Sequence, residues 1–377
     1  MTEARVLHVF KYFRPQFTGE GVFFERLAPI FAALRPDVRH DVLVTETRPD
    51  GRDASGDLTE VRYLADGGAR PRGLVGWLAT EGRRYQVVHF HTHVDRTFLG
   101  SLSLKLGGVR LLLSATLDDS LVGLLKTYRP LNRPLVRGLA QLIDQFVAIS
   151  PKLLDENRRI VPARKTSLVP IGIPIPKPTG RRAQTRAALG TPQDAKVLVC
   201  VGGLCERKDQ LFLVRQLPSL LARNPDVVLV LVGPVVEVDY RARLDREIAA
   251  LGLERHVRLP GYAAEPWLYY EAADIFVLAS RNEGFGTVAI EAMAQGLPVV
   301  VRRLPGVNDA FIEHGDTGYL FDDADDYVDL VDLLLADPAR RRAVGTRAKA
   351  SVEASFTLEA IAARYLYLYG YPAREAA

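Results

Sequence analysis

Two carboxylates eight positions apart, Glu283 and Glu291, frame the run Glu283-Gly284-Phe285-Gly286-Thr287-Val288-Ala289-Ile290-Glu291-Ala292-Met293-Ala294-Gln295-Gly296-Leu297-Pro298. The apolar stretch from Asp274 to Ala279 reads as a short buried strand. Gly284 and Gly286 permit a tight turn, and Thr287 opens a helix that stops at Gly296. A helix that starts at the carboxyl end of a strand offers unpaired N–H groups and the positive end of its dipole to a phosphate. Thr287 and Glu291, at i and i+4, share the face nearest that end. Glu283 before the turn and Glu291 one turn inside the helix can then take groups on either side of the phosphate. One faces what the phosphate carries, and the other suits paired hydroxyls such as those of a ribose.

A second glycine turn follows the apolar run Lys196 to Val201, in Gly202-Gly203-Leu204-Cys205-Glu206-Arg207-Lys208-Asp209. Lys208 is a point charge suited to a diphosphate, and Arg207 stands beside it. Val257 to Ala263 is another strand exit, ending in Tyr262 and Ala263. Near the amino terminus, Thr18-Gly19-Glu20-Gly21 forms a loop where backbone can approach a phosphate or sugar. Phe24 occupies the place of the third glycine in Gly-x-Gly-x-x-Gly, which speaks against a dinucleotide dehydrogenase. His89, His91 and His93 alternate along a strand and Asp118-Asp119 is an acidic pair, but ordinary strand and loop roles account for both and no metal is expected.

The glutamate run resembles the signature of the retaining family 4 glycosyltransferases, which have the GT-B fold of two Rossmann-like domains facing a cleft. The Glu-x7-Glu spacing, the Gly-Phe-Gly turn, the Glu-Ala-Met-Ala helix and the Gly-Leu-Pro-Val-Val exit all stand here. The resemblance implies that Gly284, Phe285, Gly286, Thr287 and Val288 carry the diphosphate turn with Lys208, that Glu291 holds the ribose, and that Glu283 meets the sugar hydroxyls. Lys208 matches the family's Gly-Arg-x4-Lys element, while the arginine position is Gly203. Arg207 or a first-domain residue then supplies the second charge, or one cation suffices. Tyr262 and Ala263 fall where the family holds the base through main-chain groups, which leaves uracil and guanine both open. Gly19, Glu20 and Gly21 match the first glycine loop by position. The family's histidine near the reacting sugar falls at Thr116, so its role passes to Thr116 or Asp118, or to His91 or His93. The implied activity is retaining transfer from a nucleotide-diphosphate sugar, a UDP-sugar first, to a hydroxyl of a small-molecule, saccharide or lipid-linked acceptor. The leaving phosphate would help remove the acceptor proton. Two rivals remain, a GT-B sugar-nucleotide enzyme such as an epimerase and a nucleotide-sugar-binding protein that has lost catalysis.

Positioning such a site takes two α/β domains, and 377 residues suffice for them. Strand-length runs at Arg5 to Phe10, Asp41 to Thr45, Gln86 to Phe90, Arg110 to Ser114 and Gln145 to Ile149 alternate with helical stretches, beginning with Val22 to Leu34. A second series starts at Lys196. The proline-rich Val169 to Pro178 is the linker, giving an acceptor domain over residues 1–172, a donor domain over 173–357 and a terminal helix over 358–377 that crosses back to the first domain. Only Cys200 and Cys205 are present, too few for a disulfide framework or a zinc set. Residues 1–178 carry 26 Lys and Arg against 18 Asp and Glu, a net +8 within an overall +4. This basic half suits an anionic acceptor or peripheral contact with an anionic membrane, and its scattered cations form no nucleic-acid stripe. Apolar runs of strand length and the absence of a cleavable leader point to the cytoplasm.

Overall fold

Six apolar residues in a row, Val227–Val232, are all buried, as a strand covered on both faces of a parallel sheet requires. The same pattern recurs through both halves of the computed structural model, which describes residues 4–13, 19–45, 60–64, 71–91, 97–115 and 120–373. The chain divides into two compact units. One comprises Met1–Pro174 with Phe356–Ala377, the other Ile175–Ser355.

In unit 1 the order is β1 (Ala4–Phe10), α1 (Gly19–Leu34), β2 (Val38–Val44), β3 (Glu60–Tyr63), α2 (Pro71–Thr80), β4 (Val87–Phe90), α3 (Thr97–Leu106), β5 (Arg110–Ala115), α4 (Leu121–Thr127), α5 (Arg133–Ala140), β6 (Gln145–Ala148), α6 (Pro151–Arg158) and β7 (Thr166–Leu168). Among the described residues these strands form one parallel sheet, ordered β3-β2-β1-β4-β5-β6-β7. Unit 2 runs α7 (Arg182–Ala188), β8 (Lys196–Val201), α8 (Gln210–Arg223), β9 (Val227–Val232), α9 (Val238–Ala250), β10 (Val257–Gly261), α10 (Trp267–Ala272), β11 (Ile275–Leu278), α11 (Thr287–Ala294), β12 (Val299–Arg302), β13 (Tyr319–Phe321), α12 (Ala324–Ala336) and α13 (Pro338–Ser355). Its sheet, also parallel, is ordered β10-β9-β8-β11-β12-β13.

The last helix, α14 (Leu358–Tyr369), belongs to unit 1. Its Ile361, Tyr365, Leu366 and Tyr369 are buried in one core cluster with Phe10, Phe24, Leu27 and Phe31. The residues entering this helix are tied back to the interunit segment by a bridge between Ile173 and Thr357.

Two features depart from the sequence reading. The first helix begins at Gly19, three residues before Val22, so Gly19-Glu20-Gly21 is its first turn and not a loop. Glu20 there is favoured by the helix dipole, which offsets the poor helix propensity of two glycines. Strands β3, β7 and β13 were not expected. Each is three or four residues long and lies at a sheet edge, too short for a period-2 pattern to register.

Candidate active site

In an open parallel sheet, ligands bind beyond the carboxyl ends of the strands, where the strand order reverses. In unit 2 that point lies between β8 and β11, which pair with each other while their chains continue to opposite sides. Both strands lead directly into the charged residues singled out above. The ends of β8 and β9 come so close that a Cβ on Gly233 would lie 2.2 Å from the Gly202 carbonyl oxygen, and both glycines have positive φ, 153° and 152°. From there the chain enters a 3-10 turn, Glu206–Lys208, and passes through Asp209 in a left-handed conformation at φ 51°. Non-glycine residues hold that conformation at a cost. Here Arg281 and Arg302 fix it, donating to Asp209 Oδ2 at 2.9 and 3.3 Å.

This turn sends Lys208 back under Gly202 to meet Glu283, which follows β11. Lys208 Nζ lies 2.5 Å from Glu283 Oε1, and the Ser280 hydroxyl donates to the same oxygen at 2.7 Å. Arg207 reaches Oε2 at 3.0 Å and the Asn282 carbonyl at 2.9 Å. Lys208 and Glu283 are both buried. Burial alone would raise the Glu283 carboxyl, but Lys208, Ser280 and Arg207 hold it below its ordinary value. The nearby Cys200 is pushed up to about 12 by burial and is therefore a thiol at neutral pH.

Helix α11 opens just beyond. Its N-cap is Gly286 at φ 91°, which has no side chain to cap the first N–H groups, so among the described residues the positive end of the helix dipole is left uncapped at the turn. Phe285 packs against Phe311 at 5.5 Å and anchors the turn to the core. One turn along, half-buried Glu291 accepts a hydrogen bond from the Tyr270 hydroxyl at 3.0 Å. Burial, and then the Glu291 charge, raise that phenol well above its usual range, so it remains a donor. Beyond β10, Gly261 has φ 83° and Tyr262 is 74% exposed, with Ala263 beside it half-buried.

The structure thus brings Lys208, Arg207, Glu283, Gly284 to Val288 and Glu291 to one end of one sheet. The sequence assigned Lys208 and Glu283 to different parts of a ligand, whereas here they are each other's partners. A side chain at Gly203 would require Val236 to move, because a Cβ would sit 2.5 Å from Val236 Cγ2. Thr18, His93, Thr116, Asp118 and Asp119 lie outside the described residues. A cavity of about 880 Å³ opens at the opposite edge of the unit 2 sheet, lined by Asp194, Asp226, Glu254, His256 and Arg258 among others, and no signature residue reaches it.

In unit 1, two residues that sequence reasoning passed over join the histidines it noted. His8 on β1 lies opposite His89 on β4, and His40 comes from β2 on the other side. His8 bonds His91 Nε2 through Nδ1 and His40 Nδ1 through Nε2, both at 2.9 Å. His89 bonds the Tyr369 and Ser114 hydroxyls, each at 2.8 Å. Burial lowers His40 and His89 to about 3, and burial with the neighbouring rings lowers His8 and His91 well below the usual value, so all four are neutral at pH 7. His8, His89 and His91 offer nitrogens within 4.8 Å of one another. The hydrogen bonds already made by His8 and His89 occupy both nitrogens of each. Only the register of three strands brings these rings together, and sequence does not specify it.

Residues 181–351 match the family model described as glycosyl transferases group 1. The chain is 31% identical over 323 residues to the D-inositol 3-phosphate glycosyltransferase of Thermobispora bispora, covering 78% of this chain and 74% of that one. It is 36% identical over 199 residues to the enzyme of the same name from Corynebacterium diphtheriae, and 34% over 193 residues to the lipopolysaccharide core biosynthesis glycosyltransferase LpsE of Rhizobium meliloti. The chain spans about half the length of these two relatives, 45% and 54%. Among solved structures, HepE of Anabaena in complex with UDP and glucose superposes with a TM-score of 0.77 at 20% identity, covering 97% of this chain and 99% of HepE. Sucrose-phosphate synthase of Thermosynechococcus elongatus gives 0.75 at 24%, covering 97% and 98%. With two parallel α/β units, the fold is GT-B.

Proposed function

Because the chain belongs to the group 1 glycosyl transferases, we propose that it moves a sugar from a nucleotide-diphosphate donor, a UDP-sugar first, to an acceptor hydroxyl with retention of anomeric configuration. The observation that carries this reading is the Lys208–Glu283–Arg207 cluster beside the open N-terminus of α11 at the β8/β11 switch.

The donor diphosphate would lie on the first N–H groups of α11, with Gly284, Phe285, Gly286, Thr287 and Val288 shaping the turn and Lys208 and Arg207 supplying charge. Arg207 then takes the place of the arginine absent at Gly203. Glu291, one oxygen already held by Tyr270, would accept from the ribose hydroxyls, and Tyr262 and Ala263 would border the base. On transfer, the bond from the anomeric carbon to the diphosphate breaks and the acceptor oxygen bonds that carbon from the same face. The acceptor proton passes to the leaving phosphate. Glu283, buried and kept ionised by its cations, would orient the sugar hydroxyls. Gly19, Glu20 and Gly21, in the first turn of α1, and Thr116 and Asp118 are the candidate ligand contacts of unit 1. Lysine, arginine and a helix N-terminus supply the positive charge that a divalent ion would otherwise bring, so no metal is required.

HepE was solved with UDP, and another relative, from Mycolicibacterium smegmatis, is named as GDP-mannose-dependent, so the test is a panel of UDP- and GDP-sugars. Release of nucleoside diphosphate with one donor, and a product whose anomeric coupling matches the donor's, support the reading. An inverted product, or binding without turnover across the panel and a broad acceptor set, removes it.

One surface favours a lipid-linked acceptor. No acidic residue occurs between Ser120 and Ile143, while Lys126, Arg129, Arg133 and Arg137 are exposed on α4, α5 and the turn joining them. Leu131 and Leu135, 91% and 64% exposed, stand among these cations. Apolar side chains ringed by positive charge suit an anionic bilayer surface. Co-sedimentation with phosphatidylglycerol vesicles but not phosphatidylcholine vesicles is expected, and charge reversal at Arg133 and Arg137 should abolish it.

A further inference from the structure

His40, His8 and His91 form a chain of three imidazoles, and counting their hydrogens fixes which ring nitrogens carry them. Each neutral ring has one N–H. The two N···N bonds, His40 Nδ1 to His8 Nε2 and His8 Nδ1 to His91 Nε2, each need one hydrogen. The third hydrogen must therefore sit at an end of the chain, on His40 Nε2 or on His91 Nδ1. Only two arrangements exist, and they interconvert only if every ring switches tautomer.

The ends differ. His40 Nε2 is buried and has no hydrogen-bond partner among the described residues. A hydrogen placed there would be an orphaned buried donor, which native interiors scarcely tolerate, whereas a bare lone pair is the milder defect. His91 is the most exposed of the three rings, at 8% against 5% for His40 and 0% for His8. His91 also directly follows β4, at the carboxyl edge of the unit 1 sheet beside the β1/β4 reversal of strand order, and its ring is held flat on Phe10 at 4.2 Å and 7°.

We propose that the chain locks His91 as its Nδ1–H tautomer, so that it presents a hydrogen-bond donor to an acceptor-substrate oxygen at the carboxyl edge of unit 1. His8 and His40 are positioning residues that set this tautomer. His91 then cannot serve as the base of the transfer, since its other nitrogen is occupied in accepting from His8. This use of His91 rests on the glycosyltransferase reading above, while the tautomer itself does not. The reason the lock matters is that isolated neutral histidine favours Nε2–H, so without the chain His91 would offer the wrong face.

The decisive experiment is a two-bond proton–nitrogen correlation spectrum of the full chain with labelled histidine at pH 7, assigned by single histidine substitutions. His91, His8 and His40 should all show protonated Nδ1 and bare Nε2, with the alternative below about one part in ten. A protonated Nε2 on His91 overturns the proposal. Function is read with two variants. His91→Asn places an amide N–H where Nδ1–H stood and should keep kcat/KM within about fivefold. His91→Leu should lose about tenfold to a hundredfold, as removal of one oriented donor does. Equal losses in the two variants, with wild-type unfolding midpoints, refute the donor role. If no donor sugar is turned over at all, the glycosyltransferase reading fails, and the spectrum alone still decides the tautomer.

Discussion

Replacing either partner of the Lys208–Glu283 pair tests the geometry on which the donor site depends. Removing one member of a fully buried pair costs roughly 3–5 kcal/mol, because the other is left charged and desolvated. Glu283→Gln leaves the Lys208 ammonium beneath Gly202 facing an amide, and Arg207 nearby adds repulsion, so the upper part of that range applies, about 4 kcal/mol. Lys208→Met leaves Glu283 with Arg207 and the Ser280 hydroxyl. The Arg207 side chain is about one-third exposed and screened, so it compensates in part, giving about 2–3 kcal/mol. The double variant removes both buried charges. It should cost about 4 kcal/mol, some 2–3 less than the sum of the singles, the difference being the coupling of residues in direct contact. Urea unfolding followed by Trp267 fluorescence, in a Trp77→Phe background, reports unit 2. Constant m-values across the four proteins license the comparison. Costs that add within about 0.5 kcal/mol would mean that the pair is not formed in solution, and the roles drawn from it would go with it.

Three further outcomes are expected. Glu291→Gln should raise the donor KM and weaken nucleoside diphosphate binding about tenfold, whereas Glu283→Gln should lower kcat about a hundredfold and leave that affinity nearly intact; titration calorimetry showing equal losses of nucleotide affinity would reverse the assigned roles. His40 and His89 lie near 3 when folded against about 6.5 unfolded, so the unfolded chain binds more protons between those values. Their stabilising contribution is complete above about pH 6.5 and is lost as pH falls, by about 2 kcal/mol for each at pH 5, and a unit 1 urea midpoint that does not move between pH 7 and 5, read from Trp77 in a Trp267→Phe background, contradicts this. Activity should persist in excess chelator, and a loss reversed by manganese would show that Lys208, Arg207 and α11 do not suffice for the leaving group.

What the sequence disclosed, and what it withheld, follows the range of the forces involved. Strand β11, the glycine turn and α11 were legible because each is specified locally: a buried apolar run, a positive-φ glycine at Gly286 and a helix ended by Gly296, also at positive φ. The two-sheet alternation was legible for the same reason. The partnership of Lys208 with Glu283 was not, since it depends on β8 lying beside β11, a pairing between strands more than seventy residues apart. Nor was the imidazole chain, which needs β2, β1 and β4 in one register. The start of α1 at Gly19 was hidden by glycines that read as a loop until a neighbouring carboxylate and the helix dipole outweigh them.

The contact at Gly203 also constrains how this site can change. A side chain there meets Val236, on the loop that follows β9, and the two loops are fastened by hydrogen bonds from Leu204 to the Pro234 carbonyl and from Val236 to the Leu204 carbonyl. The positions are therefore epistatic. An arginine introduced at 203 alone would have to displace a β-branched side chain on a fastened loop, while shortening Val236 first opens the space without touching a charge.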